Sequence, residues 1–300
     1  MTIHELEQPH RPSSCPRCTW PTQSGRPFCE RCHFDLHYGS VTRTLRGQCI
    51  YCEKRRAFSR EHIFPKWLRK VYPQRSVQMR HTLRRPERHA CWEPVPMHSH
   101  FDSRLGDAYS QVVLNVCEPC NNKWMSVLQS KVKPLLIELA EGRWPEFSDD
   151  QRAQLARWCA MVSINFECIA RVITTTQHQR SMLMNGSMPD GWKVSVGLMT
   201  DTTCAGDSFH RSVAVPIGVG DRDHIPLMST YFCIERAAFY TLKSVSDQVL
   251  SYGLLGGGLS NMALPTSPVW PVNQPFDKLV GTGLTRDDLL ALQRHFEPDH

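Results

Sequence analysis

Four Cys-x-x-Cys pairs constrain this chain more than any other feature of its sequence. They use eight of its thirteen cysteines, and all four lie in the first 120 residues. In chain order the pairs are Cys15/Cys18, Cys29/Cys32, Cys49/Cys52 and Cys117/Cys120. A Cys-x-x-Cys turn presents two thiolates to one tetrahedral Zn²⁺, and two turns complete a four-cysteine site. Because cysteines inside a cell bind metal more often than they form disulfides, the chain is expected to hold two structural zinc ions.

The spacing of the pairs favours a local partner for the first two. Ten residues separate the first pair from the second, so residues 15–32 predict a zinc ribbon whose folding energy comes from the metal. The third pair then joins the fourth, across 64 intervening residues. In the alternative arrangement the second pair joins the third, and the first pair joins the fourth. We favour the first arrangement because it is the more economical.

Basic charge is concentrated in the N-terminal half of the chain. Residues 1–143 contain 23 Lys and Arg against 13 Asp and Glu, whereas residues 144–300 contain 12 against 16. Within residues 41–88 the count is 14 against 3. Such a bias indicates a surface that binds a polyanion, and nucleic acid is the partner that we expect.

The sequence divides by pattern into three parts, 1–40, 41–143 and 144–300. The first contains the predicted ribbon. In the second, apolar residues recur every three or four positions after Cys120 and predict a helix from about residue 121. Residues 72–110 show little periodicity and predict a long loop. The fold class that we expect is α+β.

The third part predicts a C-terminal α+β domain. Residues 152–170 are apolar nearly all round and predict a buried helix. The segments WKVSVGLM, SVAVPIGV and YFCIERAAFYTLK are typical of half-buried strands. The segment TRDDLLALQRHF predicts a last helix, with Thr285 as its N-cap and Asp288 completing a capping box. We expect loops at SMLMNGSMPDG and YGLLGGGLS.

Two further expectations concern location and partners. No run of about 18 apolar residues is present, and the first residues lack the apolar stretch of a signal peptide. We therefore expect a cytoplasmic protein with no membrane partner. For residues 144–300 the hypothesis is a sensing or oligomerising part, or one that binds an activator.

Three motifs of the middle part occur in an order that carries chemistry. They are CIYC at 49–52, EHIFPKWL at 61–68 and VCEPCNNKWMSVLQ at 116–129. This order resembles the HNH endonuclease family, and the resemblance covers roughly residues 45–135. It implies a ββα-metal core in which two Cys-x-x-Cys turns hold a structural zinc. It also implies an acidic-His pair at the end of a strand, and an amide residue that opens the helix.

The resemblance implies a role for each polar residue of these motifs. His62 is expected to be the general base, because a neutral imidazole takes a proton from water at physiological pH. Glu61 and Asn121 are expected to bind one catalytic Mg²⁺ or Mn²⁺ through oxygen. Asn122 is the alternative ligand to Asn121. Asn115 is expected to orient His62, with a backbone group as the alternative.

We therefore expect a metal-dependent HNH endonuclease that hydrolyses DNA, duplex above all, in phage defence, restriction or mobile-element biology. Trp67 and Trp124 are expected to pack in the core. The alternative hypothesis is a zinc-dependent nucleic-acid-binding protein that keeps the scaffold without cleaving. The side chains expected to contact phosphates are Arg55, Arg56, Arg60, Lys66, Arg69, Lys70 and Lys123.

Overall fold

The computed structural model describes residues 48–73, 81–83, 108–170, 174–216, 224–244, 264–274 and 283–295. The predicted zinc ribbon, with Cys15, Cys18, Cys29 and Cys32, lies outside these ranges and stays a prediction. So does the loop expected at YGLLGGGLS. None of the helices in the described ranges is long and apolar enough to cross a membrane.

A two-stranded sheet and a long helix form the first part of the described structure. Strand β1 (Phe58–His62) pairs antiparallel with β3 (Val112–Cys117). A short helix, α1 (Leu68–Val71), follows β1, and a 3₁₀ turn (Ala108–Ser110) precedes β3. After β3 the chain continues through α2 (Glu118–Cys120), a π-helical turn (Asn121–Met125) and α3 (Ser126–Ala140). The helix expected from about residue 121 is confirmed and begins three residues earlier.

The pairing of β1 with β3 contains a bulge close to the end of β1. Ser59 lies opposite Val116 and Glu61 lies opposite Val113, so Arg60 alone faces two residues of β3. A bulge of this kind bends the strand and changes the direction of nearby side chains. It therefore decides which side chains of β3 share a face with the end of β1.

The second sheet has six strands in the order β2-β5-β6-β7-β4-β8. Only the β2–β5 pair is parallel. Alternation at Trp192, Val194 and Val196 buries one face of β4, as their spacing predicts. The strand bounds are β2 His81–Leu83, β4 Trp192–Leu198, β5 Ser208–Pro216, β6 His224–Ile234, β7 Ala237–Lys243 and β8 Ser267–Trp270.

Three more helices complete the described α+β fold. The predicted buried helix is α4 (Asp149–Ala170), which packs on β4, β5, β7 and β8. Helix α5 (Gln177–Met184) begins at a capping box between Thr176 and Gln179. The loop prediction for SMLMNGSMPDG is therefore wrong for its first four residues, because this cap nucleates a helix through them. Helix α6 (Arg286–His295) begins at the predicted Thr285–Asp288 capping box.

The hydrophobic core runs across the predicted domain boundary at residue 143. The Phe64 ring, which follows β1, makes edge-to-face contacts with Tyr109, Phe166 and Phe232 at centroid distances of 5.8, 6.0 and 5.5 Å. These residues belong to one continuous buried cluster. Residues 48–143 therefore share their core with the six-stranded sheet, because the apolar side chains after β1 pack directly on α4 and β6.

Candidate metal centre and catalytic cleft

Four cysteines from the ends of two chain segments meet at one point. The sulfur atoms of Cys49, Cys52, Cys117 and Cys120 all lie within 4.8 Å of one another. Such a cluster is compatible with a structural zinc ion. The third pair therefore joins the fourth, and the alternative that gives each of them another partner is wrong. The approach of the pairs follows from the β1–β3 pairing, which ends at Cys117 opposite Phe58.

The thiols of this cluster interact strongly. The Sγ atoms of Cys52 and Cys117 are 3.6 Å apart. The neighbouring Cys120 thiol lowers the pKa of Cys49 to about 4, against the effect of burial. Burial raises the pKa of Cys117. The cluster thus stabilises one thiolate through its neighbours, and a dication binding there would release the remaining protons.

Glu61 lies buried near the end of β1, with 3% of its surface exposed. The Gln129 amide of α3 donates to its Oε1 atom at 3.2 Å. Burial raises the pKa of Glu61 to about 7, although Gln129 and Lys66 act in the opposite direction. A cation beside this carboxylate would favour its ionised form, which is the form that binds metal. Gln129 is the last residue of the third motif, but the motif by itself gave it no role.

His62 is the last residue of β1 and is half-buried. Burial, together with Lys66 and Arg69, lowers its pKa from the usual 6.5. The imidazole is therefore neutral at pH 7, as a general base must be. Its Nδ1 atom is buried and makes no hydrogen bond to the described residues. A contact with the Gln111 main chain raises the pKa of His62 in part, and the Gln111 carbonyl also accepts the Ile63 amide at 3.0 Å.

Asn121 follows the last cysteine and opens the π-helical turn. Its Nδ2 atom donates to Ser59 Oγ at 3.0 Å, and Ser59 Oγ donates to the Val116 carbonyl at 3.1 Å. A carbonyl can only accept, so the serine hydrogen is directed to Val116 and the serine oxygen accepts from the amide. These two hydrogen bonds, which we call the relay, use the amide nitrogen of Asn121. They leave its Oδ1 atom to bind another group.

Glu61, His62 and Asn121 line a single cleft of about 450 Å³. One wall comes from the residues that end and follow β1, and the other from one face of the π-helical turn and α3. Turns of this type are common at functional sites. Asn122 lines the cleft too, so it remains the alternative to Asn121. The other lining residues are Pro65, Lys66, Trp67, Lys70, Ser126, Gln129, Ser130 and Lys133.

Asn115 does not orient His62. Its side chain hydrogen-bonds the Cys168 thiol of α4, and its carbonyl accepts from the Ile50 amide at 2.8 Å. His62 lies opposite Val112, three residues away along β3, which is about 10 Å in a strand. The predicted role of Asn115 is therefore wrong, because its side chain bonds α4 and lies too far along β3 from His62.

The seven predicted phosphate-binding side chains are all exposed. Of these, Lys66 and Lys70 line the cleft, whereas Arg55, Arg56, Arg60, Arg69 and Lys123 are absent from its lining. Lys133 lines the cleft and was missed. The signal that could have found it is helical spacing, because positions 122, 126, 129 and 133 fall on one face of the helix.

The donor set fits a hard divalent cation. Glu61 offers a carboxylate, Asn121 offers an amide oxygen, and each is held in place by a hydrogen bond. Oxygen donors of this type suit Mg²⁺ or Mn²⁺, and two protein ligands leave coordination positions for a substrate. No protein-family model, curated protein or solved structure matches this chain.

Proposed function

We propose that this protein is a metal-dependent endonuclease of the HNH type, which hydrolyses phosphodiester bonds of DNA. One observation carries the proposal: Glu61, His62 and Asn121 line the same cleft, directly beside a four-cysteine cluster. The basic bias of residues 1–143 supports nucleic acid as the substrate. A cytoplasmic role in phage defence, restriction or mobile-element biology is part of the same proposal.

His62 supplies the proton transfer in the proposed reaction. Since its Nδ1 atom is buried, Nε2 is the ring nitrogen that would receive the proton of the attacking water. The water oxygen bonds to phosphorus, and the bond from phosphorus to the 3′-oxygen breaks. The departing oxygen takes a proton from solvent water. The products are a 3′-hydroxyl and a 5′-phosphate.

Glu61 and Asn121 would hold one Mg²⁺ or Mn²⁺ in this cleft. When bound, such an ion stabilises the negative charge that develops on the phosphate and the leaving oxygen. Ser59 and Gln129 keep the two ligands in place through the hydrogen bonds described above. A zinc ion on the four cysteines would fix Asn121, because Asn121 follows Cys120 directly. We also propose a second zinc on the ribbon cysteines of residues 15–32.

Cleavage of supercoiled plasmid tests this proposal. The wild type should convert it to nicked or linear DNA in Mg²⁺ or Mn²⁺. His62→Ala should lose about 100-fold or more of that rate, which is the usual contribution of a general base. The exposed His178 on α5 provides the matched control, and His178→Ala should cut as the wild type does. Full cutting by His62→Ala would contradict the assignment.

A non-cleaving nucleic-acid-binding protein is the second candidate function. It is favoured by the state of His62, whose buried Nδ1 atom has no hydrogen-bond partner among the described residues to hold the ring. If this candidate is correct, the wild type retards DNA in a gel-shift assay but cuts neither DNA nor RNA with either cation.

A further inference from the structure

Three lysines line the cleft together with Glu61, and we call them the lysine end: Lys66, Lys70 and Lys133. The first two follow β1, and the third projects from α3 on the facing wall. Among the described residues Glu61 is the only carboxylate that lines the cleft, and Gln129 already bonds it. The lysine end therefore carries more positive charge than its surroundings neutralise.

The lysines of this end lie beyond ion-pair distance of every acidic side chain in the described ranges, although Lys66 acts on Glu61 electrostatically. The Nζ atom of Lys133 lies 5.2 Å from the centroid of the Trp67 ring. This cation–π contact fixes the lysine stem without using an N–H donor. Lys133 is thus positioned to donate to an anion that enters the cleft.

The lysine end shares one cleft with the proposed catalytic groups, which suits a polynucleotide. Lys133 follows Gln129, the partner of Glu61, by about one turn of α3. A polynucleotide carries further phosphates on either side of the phosphate that is cut. We infer that the lysine end binds a backbone phosphate that neighbours the phosphate that is cut. This inference rests on the proposed function, and it makes the substrate a polynucleotide.

The chemistry of the lysine end favours a phosphate over a base. Lysine offers donors and no acceptor, which match phosphate oxygens, and roughly half to two-thirds of protein–DNA hydrogen bonds go to phosphate and sugar. Lys133 also covers the Trp67 ring, so that ring is not a free stacking platform. The Ser130 hydroxyl donates to the Ser126 carbonyl of its own helix at 2.9 Å, which leaves the lysines as the donors. We therefore expect the lysine end to bind DNA independently of the base sequence.

The salt dependence of DNA binding tests this inference. Fluorescence anisotropy would follow a labelled duplex dodecamer at several NaCl concentrations, in buffer without Mg²⁺ or Mn²⁺. Lys133→Met keeps an apolar stem over Trp67 and removes the charge. It should bind several-fold more weakly, and its slope of log affinity against log salt should be shallower by about 0.9, the loss of one phosphate contact. Lys133→Arg should restore both quantities.

Lys131 provides the matched control, because it is exposed on α3 and outside the cleft. Lys131→Met should keep the wild-type slope, and thermal melting should show that each variant folds. If Lys133→Met does not fold, Lys70→Met replaces it. Equal slopes of log affinity against log salt for Lys133→Met (or Lys70→Met) and Lys131→Met would overturn the inference. A wild type that binds no duplex would also overturn it. So would a competition assay in which poly-glutamate displaces the labelled duplex as effectively as unlabelled DNA does.

Hydrolysis of bis(p-nitrophenyl) phosphate separates this inference from the proposed function. That substrate has a single phosphate and cannot reach both ends of the cleft. Hydrolysis by the wild type together with unchanged slopes would reject the lysine end alone. A shallower slope for Lys133→Met without hydrolysis of any substrate would reject the proposed catalysis and retain the lysine end.

Discussion

Ser59 and Gln129 hold the two candidate metal ligands, although the sequence motifs assigned neither residue a role. Each makes one side-chain hydrogen bond to its ligand, at 3.0 Å to Asn121 and at 3.2 Å to Glu61. In the first case the bond also decides the orientation of the amide, because Ser59 must accept from nitrogen. Partners of this kind position a ligand before the metal arrives, and their loss typically weakens metal binding 10–100-fold.

We predict that Ser59→Ala weakens Mn²⁺ binding at Asn121 by about tenfold or more. Without the serine oxygen, nothing in the described relay keeps the amide nitrogen turned away from the cation. The free Mn²⁺ signal in electron paramagnetic resonance titrations measures the affinity directly. Ser130→Ala is the control, since that hydroxyl bonds the backbone of its own helix. Equal affinity in Ser59→Ala and wild type would show that the relay does not orient the ligand.

His210 makes the stability of the fold sensitive to acid. It is 1% exposed, stacks on Phe166 and bonds Thr230 Oγ1 through Nδ1 at 2.8 Å. Burial lowers the pKa of His210 from 6.5 to about 3. Between about pH 3 and pH 6.5 the histidine binds a proton in the unfolded state but stays neutral in the folded state. Stability from this group is therefore present above pH 6.5 and is lost as the pH falls towards 3.

We predict that this histidine alone removes about 2 kcal/mol of unfolding free energy between pH 6.5 and pH 5. Urea denaturation at the two pH values measures the loss. His210→Gln should lack this component, because glutamine does not titrate, even if it is less stable at pH 7. The exposed His178 supplies the control, and His178→Gln should keep the wild-type acid response. The prediction fails if His210→Gln loses as much stability as the wild type over this interval.

At the scale of elements, the four-cysteine cluster connects pieces that are too short to be stable alone. The Cys49–Cys52 turn belongs to no described helix or strand, and α2 spans only three residues. The bond from the Ile50 amide to the Asn115 carbonyl, at 2.8 Å, ties the turn to the bulged part of β3. A metal would therefore hold the turn, the end of β3 and the start of the long helix together. Asn121 depends on that junction for its position.

We predict that Cys117→Ser removes about one zinc per chain and destabilises the fold by several kcal/mol, because metal binding supplies folding energy at such sites. Mass spectrometry of the metal content and thermal melting measure the two effects. Cys159→Ala is the matched control: Cys159 is buried in α4, outside the cluster, and its loss should leave the zinc content unchanged. A wild type with no bound zinc would refute the prediction for the cluster and for the ribbon.

At the scale of the whole molecule, the described part of residues 48–143 shares one core with the six-stranded sheet. Tyr51, within the first Cys-x-x-Cys turn of the cluster, donates its hydroxyl to Met161 O and Asn165 Oδ1 of α4, both at 3.2 Å. Gln177 of α5 donates to the Tyr51 carbonyl at 2.6 Å. Together with the aromatic contacts of Phe64, these bonds cross the predicted domain boundary. The two parts are therefore expected to unfold together.

We predict that Phe64→Ala lowers the unfolding free energy by about 3–5 kcal/mol, the usual cost of emptying a buried aromatic site. The transition should stay single, with coincident urea curves from tryptophan fluorescence and far-ultraviolet circular dichroism. Leu290→Ala, at a position 37% exposed on α6, should change stability much less. Two separate transitions in Phe64→Ala would show that the parts fold independently.

Much of the fold followed from local pattern. The alternation at Trp192, Val194 and Val196 predicted β4, and the capping box at Thr285 predicted the start of α6. These signals depend on neighbours in sequence, so they survive any tertiary arrangement. The start of α5 was missed, since its capping box lies in a polar stretch that resembles a loop. The order of the three sequence motifs also predicted that Glu61, His62 and Asn121 belong to one site. The three side chains line one cleft.

By itself the sequence determined which residue types are present and which short elements they form, because periodicity and capping act within a few residues. Tertiary structure alone decided which cysteine pairs meet, that Asn115 turns away from His62, and that Gln129 and Lys133 reach the cleft. The physical reason is the length of chain between partners. Ser59 meets Asn121 across 62 residues and Glu61 meets Gln129 across 68. Such contacts depend on strand register, a β-bulge and the face that a helix presents.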